Sequence, residues 1–402
     1  MTPLPVTHFT LATALGLGRA PTWEALRTGR SGLRRQRFET AELDTWLGLV
    51  PAVETASMPV GFEAFDCRNN RLAELALRAD GFDLAVQRAA QRWGAHRVGV
   101  FLGTSTSGIL QTEVAYRHRD AASGALPAEL FYGQTHNTYS VSRYVRAVLG
   151  LAGPAFVVST ACSSSAKVYA SAARCIAAGV IDAAVVGGVD SLCLTTLYGF
   201  KALELLSTDI CRPWDARRDG LSLGEAAAFA LLERDAGDDS VQAWLRGVGE
   251  SSDGHHMSSP HPQGLGAAQA MRAALADAGV RADELDYLNL HGTGTPGNDA
   301  AEDPAVLAVF GPELPCSSTK GLTGHTLGAA GGVEAAIAML ALQHAWLPAG
   351  LNLEQPDAAL GCHYLRAPRP QAAKLVASNS FGFGGSNACL VFGAASSAGQ
   401  VS

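Results

Sequence analysis

Clustered positive charge is missing from this chain. Its 402 residues carry 30 Lys and Arg against 37 Asp and Glu, a formal net charge of -7, and no basic run stands out. Phosphate recognition needs gathered cations, so no nucleic-acid partner is expected. Paired cysteines are missing too. The eight cysteines, at 67, 162, 175, 193, 211, 316, 362 and 389, form no C-x-x-C pair. That removes the usual sequence sign of a zinc or redox site, and no metal is expected. Unpaired, scattered thiols fit a reducing, cytoplasmic compartment. No apolar run is long enough to span a bilayer. The opening MTPLPVTHFTLATALGLGRA lacks the positive start of a signal peptide. Charged residues make up only 17% of the chain and hydrophobic ones 48%, which favours a large buried core over disorder.

What is present is an internal echo. Residues 99–108 read GVFLGTSTSG and residues 288–297 read LNLHGTGTPG. Each is an apolar strand pattern followed by Gly-Thr-x-Thr-x-Gly, and the two lie almost half a chain apart. The repetition points to a duplicated architecture. AFVVST (155–160), AAVVGGV (183–189) and AAAFALLE (226–233) read as buried strands. SSAKVYASAARCIAAG (164–179) and AAQAMRAALADAG (267–279) read as helices that end at a glycine. Alternating strands and helices argue for an α/β fold. The polar stretch RDAGDDSV (234–241) is the best seam between halves, placing the division at 1–239 and 240–402.

Three segments carry candidate chemistry. In VVSTACSSSAK a buried strand ends near Thr160 and a helix begins near Cys162. A thiol at a helix N-terminus feels the positive end of the dipole, which lowers its pKa and favours thiolate. The same segment fits a small buried core cysteine equally well. His291 ends a strand and opens the turn HGTGTPGND, and His325 sits among glycines in STKGLTGHTLGAAGGVE. Taken singly, each histidine also fits a hydrogen-bonded structural role. Lys320 and Glu334 flank His325; a buried lysine needs a partner, and Glu334 fits. In NSFGFGGSN, Phe381 and Phe383 stand between glycines, as a mobile gate or a set of backbone donors would. His255, His256 and His261 form a loose cluster whose spacing gives little support to a metal site.

Five segments in order resemble the β-ketoacyl synthase family of the thiolase-like superfamily. They are TACSSS (160–165), RPWDARRDGLSLGEAAA (212–228), HGTGTPGND (291–299), STKGLTGHTLGAAGGVE (318–334) and NSFGFGGSN (379–387). The resemblance runs from about Thr22 to Gly393. It implies a five-layered α-β-α-β-α fold of two related halves. It implies 3-oxoacyl synthase chemistry on a carrier-bound acyl chain, in fatty-acid or polyene and polyketide-type elongation. By position Cys162 matches the family nucleophile, His291 and His325 its two histidines, Lys320 and Glu334 its ion pair, and Phe383 its gate. Thr293 and Thr295 match contacts to the carrier's phosphopantetheine arm. Thr106 and Phe381 match the substrate tunnel. No cofactor is required beyond the phosphopantetheine that arrives on an acyl carrier protein. The expected assembly is a homodimer, or a heterodimer with a ketosynthase-like chain-length subunit.

Departures from the family pattern point to a specialised-metabolite enzyme. LSTDICRPWD (206–215) is short, Trp214 replaces a usual Phe, and Ala226 stands where Gly is common. THFTLATALG (7–16) is a degenerate first strand, and Thr106 replaces a larger apolar residue. Two other readings are a thiolase, which would need a second cysteine as base, and a non-catalytic partner subunit, which would lack the nucleophile.

Overall fold

The computed structural model describes residues 1–397. Five strands of its first half are β1 (Leu4–Thr13), β2 (Val98–Gly103), β3 (Ala155–Val158), β4 (Ala183–Asp190) and β5 (Ala226–Glu233), in the spatial order β3-β2-β4-β5-β1. Five from the second half are β6 (Ala243–Ser252), β7 (Tyr287–Asn289), β8 (Cys316–Ser317), β9 (Leu375–Gly382) and β10 (Ser386–Ala394), in the order β8-β7-β9-β10-β6. Raising each number by five converts the first order into the second. The directions match as well. β2 runs parallel to β3 and β4, and β5 is antiparallel to β4 and β1. β7 runs parallel to β8 and β9, and β10 is antiparallel to β9 and β6. β1 and β6 pair antiparallel with Leu4 opposite Leu245, which joins the two sets edge to edge. The two Gly-Thr echoes follow β2 and β7, the equivalent strands of the two halves. The sequence repetition is therefore the duplication itself.

Seven helices complete the layers: α1 (Arg68–Arg78), α2 (Phe82–Trp93), α3 (Ser140–Val148), α4 (Ser164–Ala177), α5 (Leu265–Ala278), α6 (Pro296–Phe310) and α7 (Ala330–His344). α4 and α7 each touch strands of both halves, so they form the middle layer. α1, α2 and α3 cover the outer face of the first half; α5 covers β6 and β10, with α6 against α5. The sequence dictates these places. α7 reads AGGVEAAIAMLALQH and is buried continuously from Ala330 to Leu342, as a helix apolar on all sides must be. Its one charged residue within that run is Glu334. α3 is one-faced, with Val141, Tyr144 and Val145 buried and Arg143 exposed. β4 and β5 are buried at every residue, in keeping with their unbroken apolar character. Among the described residues, no helix is long and apolar enough to cross a membrane.

The middle layer packs hard against the strand ends. A Cβ built on Gly103, the last residue of β2, would sit 2.3 Å from the Ser165 amide nitrogen in the first turn of α4. Only glycine lets that helix start lie directly on the strand. Gly103→Ala is predicted to lower stability by about 1–3 kcal/mol, the usual cost of overpacking. Urea unfolding checks this, and an unchanged midpoint would contradict the packing argument.

Candidate active site

Cys162 sits on a sharp turn between β3 and α4. Ala161 takes φ +52°, a left-handed value that a non-glycine residue adopts only when its surroundings hold it there. Neighbouring serines supply the hold. The Ser164 hydroxyl accepts from the Thr160 amide at 2.9 Å, and the Ser163 hydroxyl donates to the Thr160 carbonyl at 2.9 Å. α4 starts at Ser164, so Cys162 lies just ahead of the helix. Its side chain is only 5% exposed.

Both histidines converge on this sulfur. The His325 backbone is pinned from each side: its amide donates to the Ser222 carbonyl at 2.7 Å, and its carbonyl accepts from the Gly224 amide at 3.0 Å. His325 Nε2 then lies 2.9 Å from Cys162 Sγ. His291 follows β7, and the Glu302 carboxylate accepts from the His291 and Gly292 amides at 2.8 and 2.7 Å. The two imidazoles meet edge to face, 5.3 Å between centroids at 86°. One ligand-capable atom from each of Cys162, His291 and His325 lies within 4.8 Å of the others; among the described residues no other group of His, Cys, Asp and Glu is so disposed. His255, His256 and His261 form no such group, although the His255 and His261 rings lie 5.1 Å apart.

Lys320 is the buried cation beside the histidines. Its ammonium is 1% exposed and bonds Glu334 and the His291 carbonyl oxygen. It also lies 3.5 Å from His291 Nδ1. An ammonium has donors only, so Nδ1 must accept and the imidazole proton must sit on Nε2. Beside a neutral thiol, Nε2 of His325 accepts from the Cys162 S–H and the ring proton sits on Nδ1; among the described residues no protein group bonds Nδ1, so once the sulfur is acylated nothing holds that tautomer. Burial first, and Lys320 second, hold both imidazoles well below the usual histidine range. Both rings are neutral at pH 7. Burial pushes Glu334 up to about 7 against the pull of the Lys320 charge.

One expectation from the sequence is corrected. Burial pushes the Cys162 thiol up to about 12; Lys320 opposes this, while Asp190 and Glu334 add to it. The helix dipole was expected to favour thiolate. The helix starts at Ser164, two residues past the thiol, and burial is the largest influence on it. The resting pair is a neutral thiol against a neutral imidazole.

A cavity of about 390 Å³ leads to the sulfur. Cys162, His291, His325, Thr293, Thr295, Phe381 and Phe383 all line it. Thr293 and Thr295 face each other with hydroxyls 2.9 Å apart, and Thr295 caps the start of α6. Phe381 packs against His291 at 5.6 Å, and Phe383 against Phe200 at 5.6 Å. Lys320 and Glu334 stand behind the histidines and outside the cavity wall. Thr106 is not brought into this cavity, against the expectation of a tunnel residue. It is 1% exposed, and its hydroxyl donates to Asp190 Oδ1 at 2.9 Å. Sequence reasoning missed Asp253, Asn387, Phe200, Leu205 and Leu221 in the lining. It also missed the carboxylates of Asp190 and Glu302. An acid at the end of a buried strand, or within a helix that follows a Gly-Thr turn, was the available signal.

The sequence pattern of "Beta-ketoacyl synthase, N-terminal domain" matches residues 3–237, and that of "Beta-ketoacyl synthase, C-terminal domain" matches 242–354. The chain belongs to the β-ketoacyl synthase family. As a member it is an acyltransferase. Its relatives include the 3-oxoacyl-[acyl-carrier-protein] synthase 2 of Vibrio cholerae, 32% identical over 417 residues, covering 96% of this chain and 98% of the relative. A chain from the solved complex of the ketosynthase ApeO with its chain length factor ApeC, from Xenorhabdus doucetiae, superposes with a TM-score of 0.87 at 37% identity, covering 97% of this chain and 98% of that one. A chain of the ishigamide ketosynthase/chain length factor gives 0.88 at 27% identity, covering 98% and 99%. This β-ketoacyl synthase thus carries the five-layer thiolase-like fold across the described residues that these comparisons cover.

The neutral pair makes a prediction about reactivity. Between pH 7 and 9 neither partner of the wild-type pair changes protonation, so the rate of Cys162 alkylation by iodoacetamide should stay flat. His325→Ala should be slower by roughly 10²-fold at pH 7. Its rate should then climb about tenfold per pH unit, as thiolate from an unassisted thiol does. Stopped alkylation followed by intact mass reads both; identical profiles would contradict the pairing.

Proposed function

We propose that this acyltransferase extends a Cys162-bound acyl chain by decarboxylative condensation with malonyl on an acyl carrier protein. The observation that carries the reading is the 2.9 Å contact between Cys162 Sγ and His325 Nε2, with His291 beside it in the Nε2–H form that Lys320 imposes. In the first step Cys162 attacks the acyl thioester. His325 Nε2 takes the thiol proton, the bond from carbonyl carbon to the carrier sulfur breaks, and that proton passes to the departing thiol. In the second step malonyl loses CO2, and the electron pair of the broken C–C bond becomes an enolate. His291 Nε2–H donates to the enolate oxygen. His325 is the second donor in its other tautomer, which no protein group opposes. In the third step the enolate carbon attacks the Cys162 thioester and the sulfur leaves. The backbone N–H groups of Cys162 and Phe383 hold the oxyanion. Each such donor lowers the barrier by roughly 2.7–4 kcal/mol. Thr293 and Thr295 hydroxyls bond the carrier's phosphopantetheine arm, and Phe383 opens and closes the cavity.

The preferred assembly is a pair with a chain-length-type subunit, on the 37% identity to the ApeO–ApeC chain. β3 ends the sheet, and Phe156 on that edge is 52% exposed, the kind of open strand that a second subunit covers. Pairing with a second copy is the other arrangement. The eight cysteines are all free, in keeping with a reducing cytoplasm.

Two variants test the chemistry. Cys162→Ala is expected to form no covalent acyl adduct with an acyl carrier donor, read by intact mass; a persistent adduct would remove Cys162 from its role. His291→Ala is expected to acylate normally yet release CO2 from malonyl carrier roughly 10²–10³-fold more slowly, as for a lost oxyanion donor. Unchanged CO2 release would refute the assignment of His291.

A further inference from the structure

The two halves have diverged at equivalent turns. Aligning the echoes puts Leu102 where the second half has His291, and Thr104 and Thr106 where it has Thr293 and Thr295. In the second half the turn faces the cavity. In the first half it is tied down. The carboxylate of Asp190, at the end of β4 and fully buried, accepts from the Thr104 hydroxyl at 2.6 Å and from the Ser105 and Thr106 amides at 2.8 and 2.9 Å. It also takes the Ser105 and Thr106 hydroxyls. Its remaining bond leaves this turn altogether: Asp190 Oδ2 accepts from the Gly328 amide at 2.5 Å.

Gly328 lies three residues beyond His325. Between them Leu327 is held at φ +52°, an unfavourable value for a leucine. The contact leaves no slack. A Cβ on Gly328 would meet Asp190 Oδ2 at 2.7 Å and the Ser105 amide nitrogen at 2.8 Å. Upstream, the His325 backbone is fixed by Ser222 and Gly224. Downstream, the bond to Asp190 clamps the turn.

We propose that Asp190 is a positioning residue for His325: it uses the silent turn of the first half as an anvil and holds the strained 325–328 turn so that Nε2 meets the Cys162 sulfur. This rests on the reading of His325 as the partner of the thiol. A bond of 2.9 Å between sulfur and nitrogen tolerates little drift, and misplacing a reacting group by about 1 Å can cost 10²-fold in rate.

Electrostatics alone makes the opposite forecast. The charged and titratable groups facing Cys162 are Lys320, Asp190, Glu334, His325 and His291. Removing the Asp190 charge, with His325 unmoved, would ease loss of the thiol proton and speed alkylation. Loss of positioning would slow it.

The experiment is iodoacetamide alkylation of Cys162 from pH 7 to 9 in the full chain, comparing wild type, Asp190→Asn, Thr104→Val and His325→Ala. Asp190→Asn keeps the shape but turns donors toward donors. It is expected to cut the rate at pH 7 roughly tenfold and to acquire part of the pH slope of His325→Ala. Thr104→Val, which removes one hydroxyl bond to the carboxylate, should shift the same way by roughly threefold, and it decides the matter if Asp190→Asn does not fold. A flat profile at or above the wild-type rate in the folded variants overturns the proposal, provided His325→Ala still gains its slope. If His325→Ala itself matches wild type, the reading of His325 fails instead.

Discussion

The site depends on a buried ammonium. Lys320 lies under both histidines in a pocket closed to water, with Glu334 as its partner on a helix that has no other charge in its buried run. A dry site strengthens every electrostatic interaction within it. One charge therefore does three things. It adds to burial, the larger cause, in keeping both imidazoles neutral; it fixes the His291 proton on Nε2; and it pulls the Cys162 thiol toward ionisation against the cost of burial. A positively charged imidazole could not take the thiol proton. The wrong tautomer could not donate to a developing enolate. Breaking a buried pair by removing one partner leaves an uncompensated charge, so Lys320 and Glu334 have to be read as one unit.

The duplicated sheet explains how the parts come together. Equivalent strands hold equivalent places in the sheet, and the middle helices α4 and α7 touch strands of both halves. The first half supplies the sulfur at the start of α4, and the second half supplies both histidines. Symmetry is then broken locally. The turn after β7 is held from beneath by Glu302 and Asp299, which leaves the hydroxyls of Thr293 and Thr295 at the cavity. The turn after β2 is gathered around Asp190 and shut off from it.

Much of this was legible in the residues. The Gly-Thr echo marked the duplication, because a tight turn after a buried strand needs the same residue types wherever it occurs. Unbroken apolar runs marked β4 and β5. Cys162, His291 and His325 stood out by their settings and do converge. The thiol's charge state was not legible. Sequence gives the helix that follows Cys162 but not the depth of burial, which is the largest influence on the thiol. The bond of the Thr106 hydroxyl was hidden for a related reason: its partner, Asp190, lies 84 positions away. Asp190 itself looks like an ordinary strand-end acid, since its donors come from segments around 104 and 328.

The most direct test of the central constraint is nitrogen-15 NMR of the imidazole rings of His291 and His325 in the resting enzyme at pH 7. The account predicts two neutral rings, with His291 protonated at Nε2 alone. An imidazolium at either position, or a His291 proton on Nδ1, would contradict it.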